Sequence, residues 1–361
     1  MFLITTSFFT LISLPESMEQ QISFGIKSLS SFFKKKSYSS VFVLVDEHTK
    51  RYCHPLLKNV LPTHQLIIVR SGEANKTILT CEAIWSKMLK NKADRNSLLV
   101  NLGGGVITDM GGFCASVFMR GIDFLNVPTS LMAMADAAIG GKTAIDFLSY
   151  KNTLGGFKAP VLICIDTVFL TTLPTRELNS GAAEVFKHAL LQGKRETSQF
   201  LLKTFLSFSE QERQTLIKKS VRYKLKVVML DPFESNLRKQ LNLGHTIGHA
   251  IESYFLLQKK TILHGEAVAL GLVAEAFLAY RFFKLPFESF LRIVFWYDLN
   301  FVKPNLKALD FNVLMKIMQK DKKNTKAQIK LVLLEREGHV LLDSQITKSQ
   351  LLEGMAFLQA F

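Results

Sequence analysis

Five short runs in the first half of the chain carry almost no polar residue, and each stops abruptly. Val41-Phe42-Val43-Leu44-Val45 stops at Asp46, Gln65-Leu66-Ile67-Ile68-Val69 at Arg70, and Ser97 to Leu102 at three glycines. Asp123-Phe124-Leu125-Asn126-Val127 stops at Pro128, and Val161 to Ile165 at Asp166. The in–out alternation of a strand with one wet face is missing, so both faces have to be covered. Such strands belong to a parallel sheet flanked by helices, and the helical pattern from Lys76 to Lys90 supplies one crossover. The expectation is an α/β domain whose ligand lies at the carboxyl ends of the strands.

After Pro174 the pattern turns helical. Segments 176–192, 196–207, 210–229, 244–257, 264–283 and 312–319 read as helices, with one late β-like run, Ile329 to Leu334, before the turn-like Gly338. A length of 361 residues suits two domains, divided near residue 172 into 1–172 and 173–361.

The net charge of +15 favours acidic ligands. The cations are dispersed and no nucleic-acid motif accompanies them, so no nucleic-acid partner is expected. No run of about 18 uncharged apolar residues exists, so no membrane span is expected either. Met1 to Pro15 is apolar but lacks a basic start and a small-residue cleavage site; it reads as a first strand or an irregular lead-in. Cys53, Cys81, Cys114 and Cys164 form neither CxxC nor a disulfide framework, which suits free thiols in a reducing cytoplasm.

The chemistry gathers in a few motifs. In Leu241-Asn242-Leu243-Gly244-His245-Thr246-Ile247-Gly248-His249, two histidines four apart share a helix face, and His264-Gly265-Glu266 follows. Glu184 upstream adds a carboxylate. Two or three imidazoles plus one carboxylate would hold zinc or a similar ion and leave a coordination position open. Lys187 and His188, three and four residues after Glu184, lie on its side of the helix. Gly103-Gly104-Gly105 between a strand and a helix can let a pyrophosphate approach the backbone and meet free N–H donors. Asp46 at an earlier strand end could accept from a ribose hydroxyl. Lys142 in Gly140-Gly141-Lys142-Thr143, Lys151-Asn152, Lys224, Arg238 and Asn242 add donors suited to a small, multiply charged anion.

Taken in order, these motifs resemble the 3-dehydroquinate synthase family of sugar-phosphate cyclases. The likeness runs from Ser71-Gly72-Glu73-Ala74-Asn75-Lys76 to Asp321-Lys322-Lys323, about 250 residues, and includes Pro128-Thr129-Ser130-Leu131 and Ala183-Glu184-Val185-Phe186-Lys187-His188. It implies an α/β N-terminal Rossmann-like NAD-binding domain, a mostly α-helical C-terminal metal-binding domain, and a homodimer. The implied reaction converts 3-deoxy-D-arabino-heptulosonate 7-phosphate to 3-dehydroquinate and phosphate, with NAD+ regenerated in each turnover. It further implies Zn2+ or Co2+ on Glu184, His245 and His264, leaving His249 as a substrate contact and His188 outside the ligand set. Lys142, Asn152, Arg120, Lys224 and Lys322 or Lys323 are implied to grip phosphate and carboxylate, Arg120 from the neighbouring subunit. Asp136, Lys187, Arg238, Asn242 and His249 are implied to contact the sugar. Implied NAD contacts are Asp46, Glu73, Lys76, Gly104, Gly105, Asp109, Thr129, Ser130, Lys142, Lys151, Phe169, Thr172, Leu173 and Glu177.

The chain departs from the family pattern at His48, at Asp146, over Gly155 to Pro160 and over Asp231 to Leu237. None of these removes an implied metal or phosphate ligand. The rival readings are another sugar-phosphate cyclase and a metal- and NAD-dependent polyol dehydrogenase, which would not need the anion-binding lysines.

Overall fold

The buried apolar runs become the core of a six-stranded sheet. The structure, a computed structural model, describes residues 20–148, 150–201, 203–307, 309–320 and 329–361. Met1 to Pro15, Lys322 and Lys323 lie outside them. The N-terminal half contains β1 (Ile22–Phe24), α1 (Lys27–Lys35), β2 (Val41–Asp46), α2 (Glu47–Tyr52), α3 (His54–Leu57), β3 (Gln65–Val69), α4 (Ile78–Lys90), β4 (Leu98–Gly103) and α5 (Gly105–Val117). It continues with β5 (Asp123–Pro128), a wide π turn (Ala133–Ala137), β6 (Lys142–Phe147), β7 (Tyr150–Phe157) and β8 (Leu162–Ile165).

Strands β1, β8, β5, β4, β2 and β3 lie in that order, all parallel, with Val43 opposite Val100 and Gly103 opposite Pro128. All five sequence-expected strands are present. The short β1 at the edge was not foreseen. The alternating residues of β2 enter two different cores. Phe42 and Leu44 pack with Ile84 and Met88 of α4 and Met110 and Cys114 of α5. Val41, Val43 and Val45 face the opposite way, into a core continuous with that of the helical half. Both faces are therefore dry, which is why the runs lack alternation. All four cysteines are free and buried.

The C-terminal half contains α6 (Thr175–Gln192), α7 (Lys194–Ser198), α8 (Glu210–Leu230), α9 (His245–Leu257), α10 (His264–Phe282), α11 (Phe287–Asn300), α12 (Phe311–Lys320), the antiparallel pair β9 (Ile329–Arg336) and β10 (His339–Ile346), and α13 (Lys348–Ala360). The expected helix over 196–207 is a correction. Instead the chain has the five-residue α7 and a 3-10 turn at Phe205–Ser207. Phe200, Phe205 and Phe208 are all buried, and Phe208 packs edge-on against the other two rings. Burying all three outweighs the helical propensity of the segment. Helices α11 and α13 and the pairing of β9 with β10 were not anticipated. No helix among the described residues is long and apolar enough to cross a membrane.

Candidate active site

The glycines around the histidines let α9 and α10 touch. A Cβ on Gly271 would lie 1.9 Å from the Gly244 carbonyl oxygen, so only glycine permits this crossing. Helix α9 begins at Gly244, whose N–H donates to the buried Glu275 of α10 at 2.5 Å, and Ile247 N–H donates to the same carboxylate at 3.4 Å. Glu275 thus satisfies the orphan donors at the start of the histidine helix. With α9 fixed, the rings of His245, His249 and His264 lie 5.2, 5.4 and 5.5 Å apart between centroids. Their nearest nitrogens all fall within 4.8 Å of one another.

Glu184 reaches this cluster from α6. Its Oε1 is 3.5 Å from His245 Nε2 and its Oε2 is 2.5 Å from Lys187 Nζ. The side chain is fully buried, and neither oxygen accepts a well-formed hydrogen bond. Oε2 already faces the Lys187 ammonium, and the buried Oε1 beside His245 is suited to a further cation. His245 Nδ1 lies 3.1 Å from the Leu243 carbonyl oxygen, an acceptor only, so Nδ1 carries the proton and Nε2 faces Glu184 with its lone pair. Burial, then the charge of Lys187, holds the His245 imidazole neutral, well below the usual histidine range. Two imidazoles and a carboxylate of this kind fit a zinc-type ion. His188 sits on the other side of Glu184. It is buried, it shares a hydrogen bond with Ser220 at 2.7 Å, and it groups with Asp136 and Glu184 rather than with the three histidines. Glu266 of the HGE motif turns away, receiving the Leu263 N–H and a two-pronged contact from Arg176.

Among the described residues, the lysines singled out by the sequence are each matched to an acid. Lys224 Nζ donates to Asp136 Oδ1 at 2.5 Å and to its carbonyl oxygen at 2.6 Å. Burial alone would raise the Asp136 carboxyl, but Lys224 and Lys187 hold it well below the usual carboxylate range. Lys187, 1% exposed, also donates to the Leu241 carbonyl at 2.6 Å. Lys142 pairs with Glu234, whose other oxygen accepts from Asn242 Nδ2 at 2.6 Å. Lys151 pairs with Glu252 at 2.7 Å. Lys76 donates to Asp109 at 2.7 Å and to Asn152 at 2.6 Å, with Glu73 3.9 Å away. The protein thus supplies counter-charges of its own to the lysines that suit an anion. Arg238, 3% exposed, donates to the Pro232 and Gly140 carbonyls at 2.6 and 3.3 Å.

At the carboxyl ends of β4 and β5, Gly104 opens α5 against Ser130. A Cβ on Gly104 would meet the Ser130 hydroxyl oxygen at 3.3 Å. Thr129 N–H donates to the Gly103 carbonyl at 3.0 Å, and Gly105 begins the helix. Asp46 caps α2, accepting from Thr49 N–H at 2.7 Å. Phe169 is buried in the core, so only its main chain can face a ligand. Thr172, Leu173 and Glu177 follow at the entry to α6. Arg120 is exposed in a left-handed turn (φ 68°) and makes no hydrogen bond or ion pair to this cluster among the described residues.

The departures have local roles. Asp146 accepts from Asn152 N–H at 2.8 Å across the β6–β7 hairpin. Phe157 meets Phe233 edge-on at 5.4 Å. Asp231 accepts from Ser235, Asn236 and Arg238 N–H at 2.9, 2.8 and 2.9 Å, which fixes the loop carrying Glu234.

Residues 66–180 match the family model for the 3-dehydroquinate synthase N-terminal region, and residues 181–324 match the C-terminal one. A 3-dehydroquinate synthase from Parabacteroides distasonis is 39% identical over 332 residues, covering 91% of this chain and 94% of the relative. The chain belongs to the 3-dehydroquinate synthase family. Two solved synthases share the fold of this synthase-family chain at 23% identity each. The 2-epi-5-epi-valiolone synthase ValA from Streptomyces hygroscopicus, with NAD+ and Zn2+ bound, superposes with a TM-score of 0.83 over 97% of this chain and 99% of its own. A 2-deoxy-scyllo-inosose synthase complexed with carbaglucose-6-phosphate, NAD+ and Co2+ gives 0.80 over 92% and 95%.

Proposed function

We propose that this chain converts 3-deoxy-D-arabino-heptulosonate 7-phosphate to 3-dehydroquinate and phosphate. The observation that carries the reading is the buried Glu184 beside His245, itself clustered with His249 and His264, with Lys187 on Glu184 and Lys224 on the adjacent Asp136. A polyol dehydrogenase would need the metal ligands but not those buried lysines.

Glu184, His245 and His264 would hold the divalent ion, zinc or cobalt. When bound, the ion supplies Lewis acidity and the nicotinamide nucleotide a reversible hydride acceptor. Residues 1–172 would carry the nucleotide and 173–361 the metal and most substrate contacts. Gly104, Gly105 and the N-terminus of α5 would receive the pyrophosphate. Asp46, Glu73, Lys76, Asp109, Thr129, Ser130, Lys151 and Glu177, with the main chain of Phe169, Thr172 and Leu173, would line the rest of that site. Lys142, Asn152 and Lys224 would bind phosphate and carboxylate, the two lysines trading internal acids for substrate anions. Asp136, Lys187, Arg238, Asn242 and His249 would contact the sugar, which sets the reacting carbons against the nicotinamide. We place Arg120 in the neighbouring subunit's site, in a homodimer. Four buried thiols suit a reducing cytoplasm.

His264→Ala tests the assignment. Removing one ligand from a metal site is expected to cost several kcal/mol of transition-state stabilisation, or roughly a thousandfold in phosphate release. The thermal midpoint of the metal-free protein should change little. A variant that keeps its activity after metal stripping would refute the assignment.

A further inference from the structure

One carboxylate stands between the two halves of the site. Glu252 lies on α9, seven residues after His245 and three after His249, on the same helical face. Its Oε2 is 3.1 Å from His264 Nδ1, and its Oε1 is 2.7 Å from Lys151 Nζ. The side chain is 14% exposed. An ionised carboxylate only accepts, so the proton sits on His264 Nδ1, and Nε2 is left as the lone pair available to an ion. Lys151 arrives from β7, in the half that carries the glycine turn. The next residue, Asn152, is tied to Lys76 and through it to Asp109 of α5. Two polar chains, Asp109–Lys76–Asn152 and Lys151–Glu252–His264, thus meet at adjacent residues of β7.

We infer that Glu252 is a positioning residue that couples metal affinity to nucleotide binding. The inference rests on the proposed roles of His264 and Lys151. A carboxylate on the outer nitrogen of a ligating histidine fixes the ring and makes the inner nitrogen a better donor. While Lys151 shares the carboxylate, part of that effect is withheld. A nucleotide that engages Lys151 returns the whole charge to His264, so NAD+ tightens metal binding. By linkage, the metal tightens NAD+ binding by the same factor.

The test is titration of the metal-free protein with Co2+, followed by visible absorption and chelator competition, with and without saturating NAD+. In the wild type, NAD+ should lower the Co2+ Kd by about fivefold or more. Glu252→Gln should raise the Kd by about 10- to 100-fold and abolish the NAD+ effect. Lys151→Met changes a half-exposed hairpin position and leaves the Glu252–His264 contact in place, so it keeps the test valid if the Glu252 variant fails to fold. It should bind Co2+ with a Kd that saturating NAD+ no longer shifts. The inference is overturned if NAD+ has no effect in the wild type, if Glu252→Gln stays within about twofold of wild type, or if the NAD+ effect survives in Lys151→Met. His264→Ala separates the two readings. A variant that retains wild-type Co2+ affinity would remove the metal assignment itself, whereas its loss together with an unshifted Glu252→Gln would defeat the coupling alone.

Discussion

Arg238 shows how closely single atoms are set in this site. Its guanidinium abuts Gly140, where a Cβ would come within 2.4 Å of Nη2. Gly140 also has φ 112°, a region side chains avoid. Gly140→Ala should therefore displace Arg238 and weaken substrate binding. Losing a charge-assisted hydrogen bond costs about 1.5–3 kcal/mol, so KM should rise roughly ten- to a hundredfold in steady-state phosphate release. An unchanged KM would mean that Arg238 does not bind substrate. Much of the site was legible at this scale because helical spacing carries it. Glu184 with Lys187, and His245 with His249, follow directly from three- and four-residue separations. Glu252 was open to the same reasoning, being one turn beyond His249. Glu275 was not: it acts on α9 from another helix, and no local pattern marks a carboxylate that caps a distant helix. Glu234 lies in a segment read only as a departure from the family pattern, and its left-handed backbone (φ 59°) has no sequence signature.

Two elements hold the ligands in place, and each gives a prediction. Glu275 bridges α10 to the first turn of α9. Glu275→Ala leaves buried N–H groups without acceptors, an expected loss of about 1–3 kcal/mol in denaturant unfolding, accompanied by weaker metal binding. A stable variant with unaltered metal affinity would contradict this. Asp231 organises the loop before Arg238. Burial disfavours its charge, but the N–H groups of Asn236, Arg238 and Ser235 outweigh that and lower its pKa from 3.8 to about 2. A depressed carboxyl stabilises the fold above the unfolded value and loses that contribution as pH falls from about 4 towards 2. Its full worth is about 2 kcal/mol. Asp231→Asn should therefore show a shallower loss of stability over that acid range in urea titrations. Parallel profiles for variant and wild type would contradict the assignment.

The sheet strands were legible because each is an unbroken apolar run. The β6–β7 hairpin was not, since β7, with two glycines, is exposed along its length and shows no alternation. The segment 196–207 misled because its phenylalanines answer to the core and not to a helix face.

At the scale of the molecule, the two halves meet through ion pairs that cross between them: Lys142 with Glu234, Lys151 with Glu252 and Lys224 with Asp136. Both partners of each pair are near the proposed ligands, so substrate and nucleotide compete with contacts that tie the halves together. The proposed placement of Arg120 in a neighbouring subunit's site gives a complementation test. Mixing Arg120→Ala with His264→Ala, each nearly inactive, should recover activity, because a hybrid dimer contains one intact site. Failure to recover with subunits shown to exchange would place Arg120 outside any partner site. The most direct test of the whole account uses the purified protein with the seven-carbon keto-acid phosphate, NAD+ and zinc. Phosphate release that stops with EDTA, resumes with zinc and leaves no net absorbance at 340 nm is the predicted result, because the hydride is returned within each turnover. Steady NADH accumulation on a polyol, with no phosphate released, would contradict it.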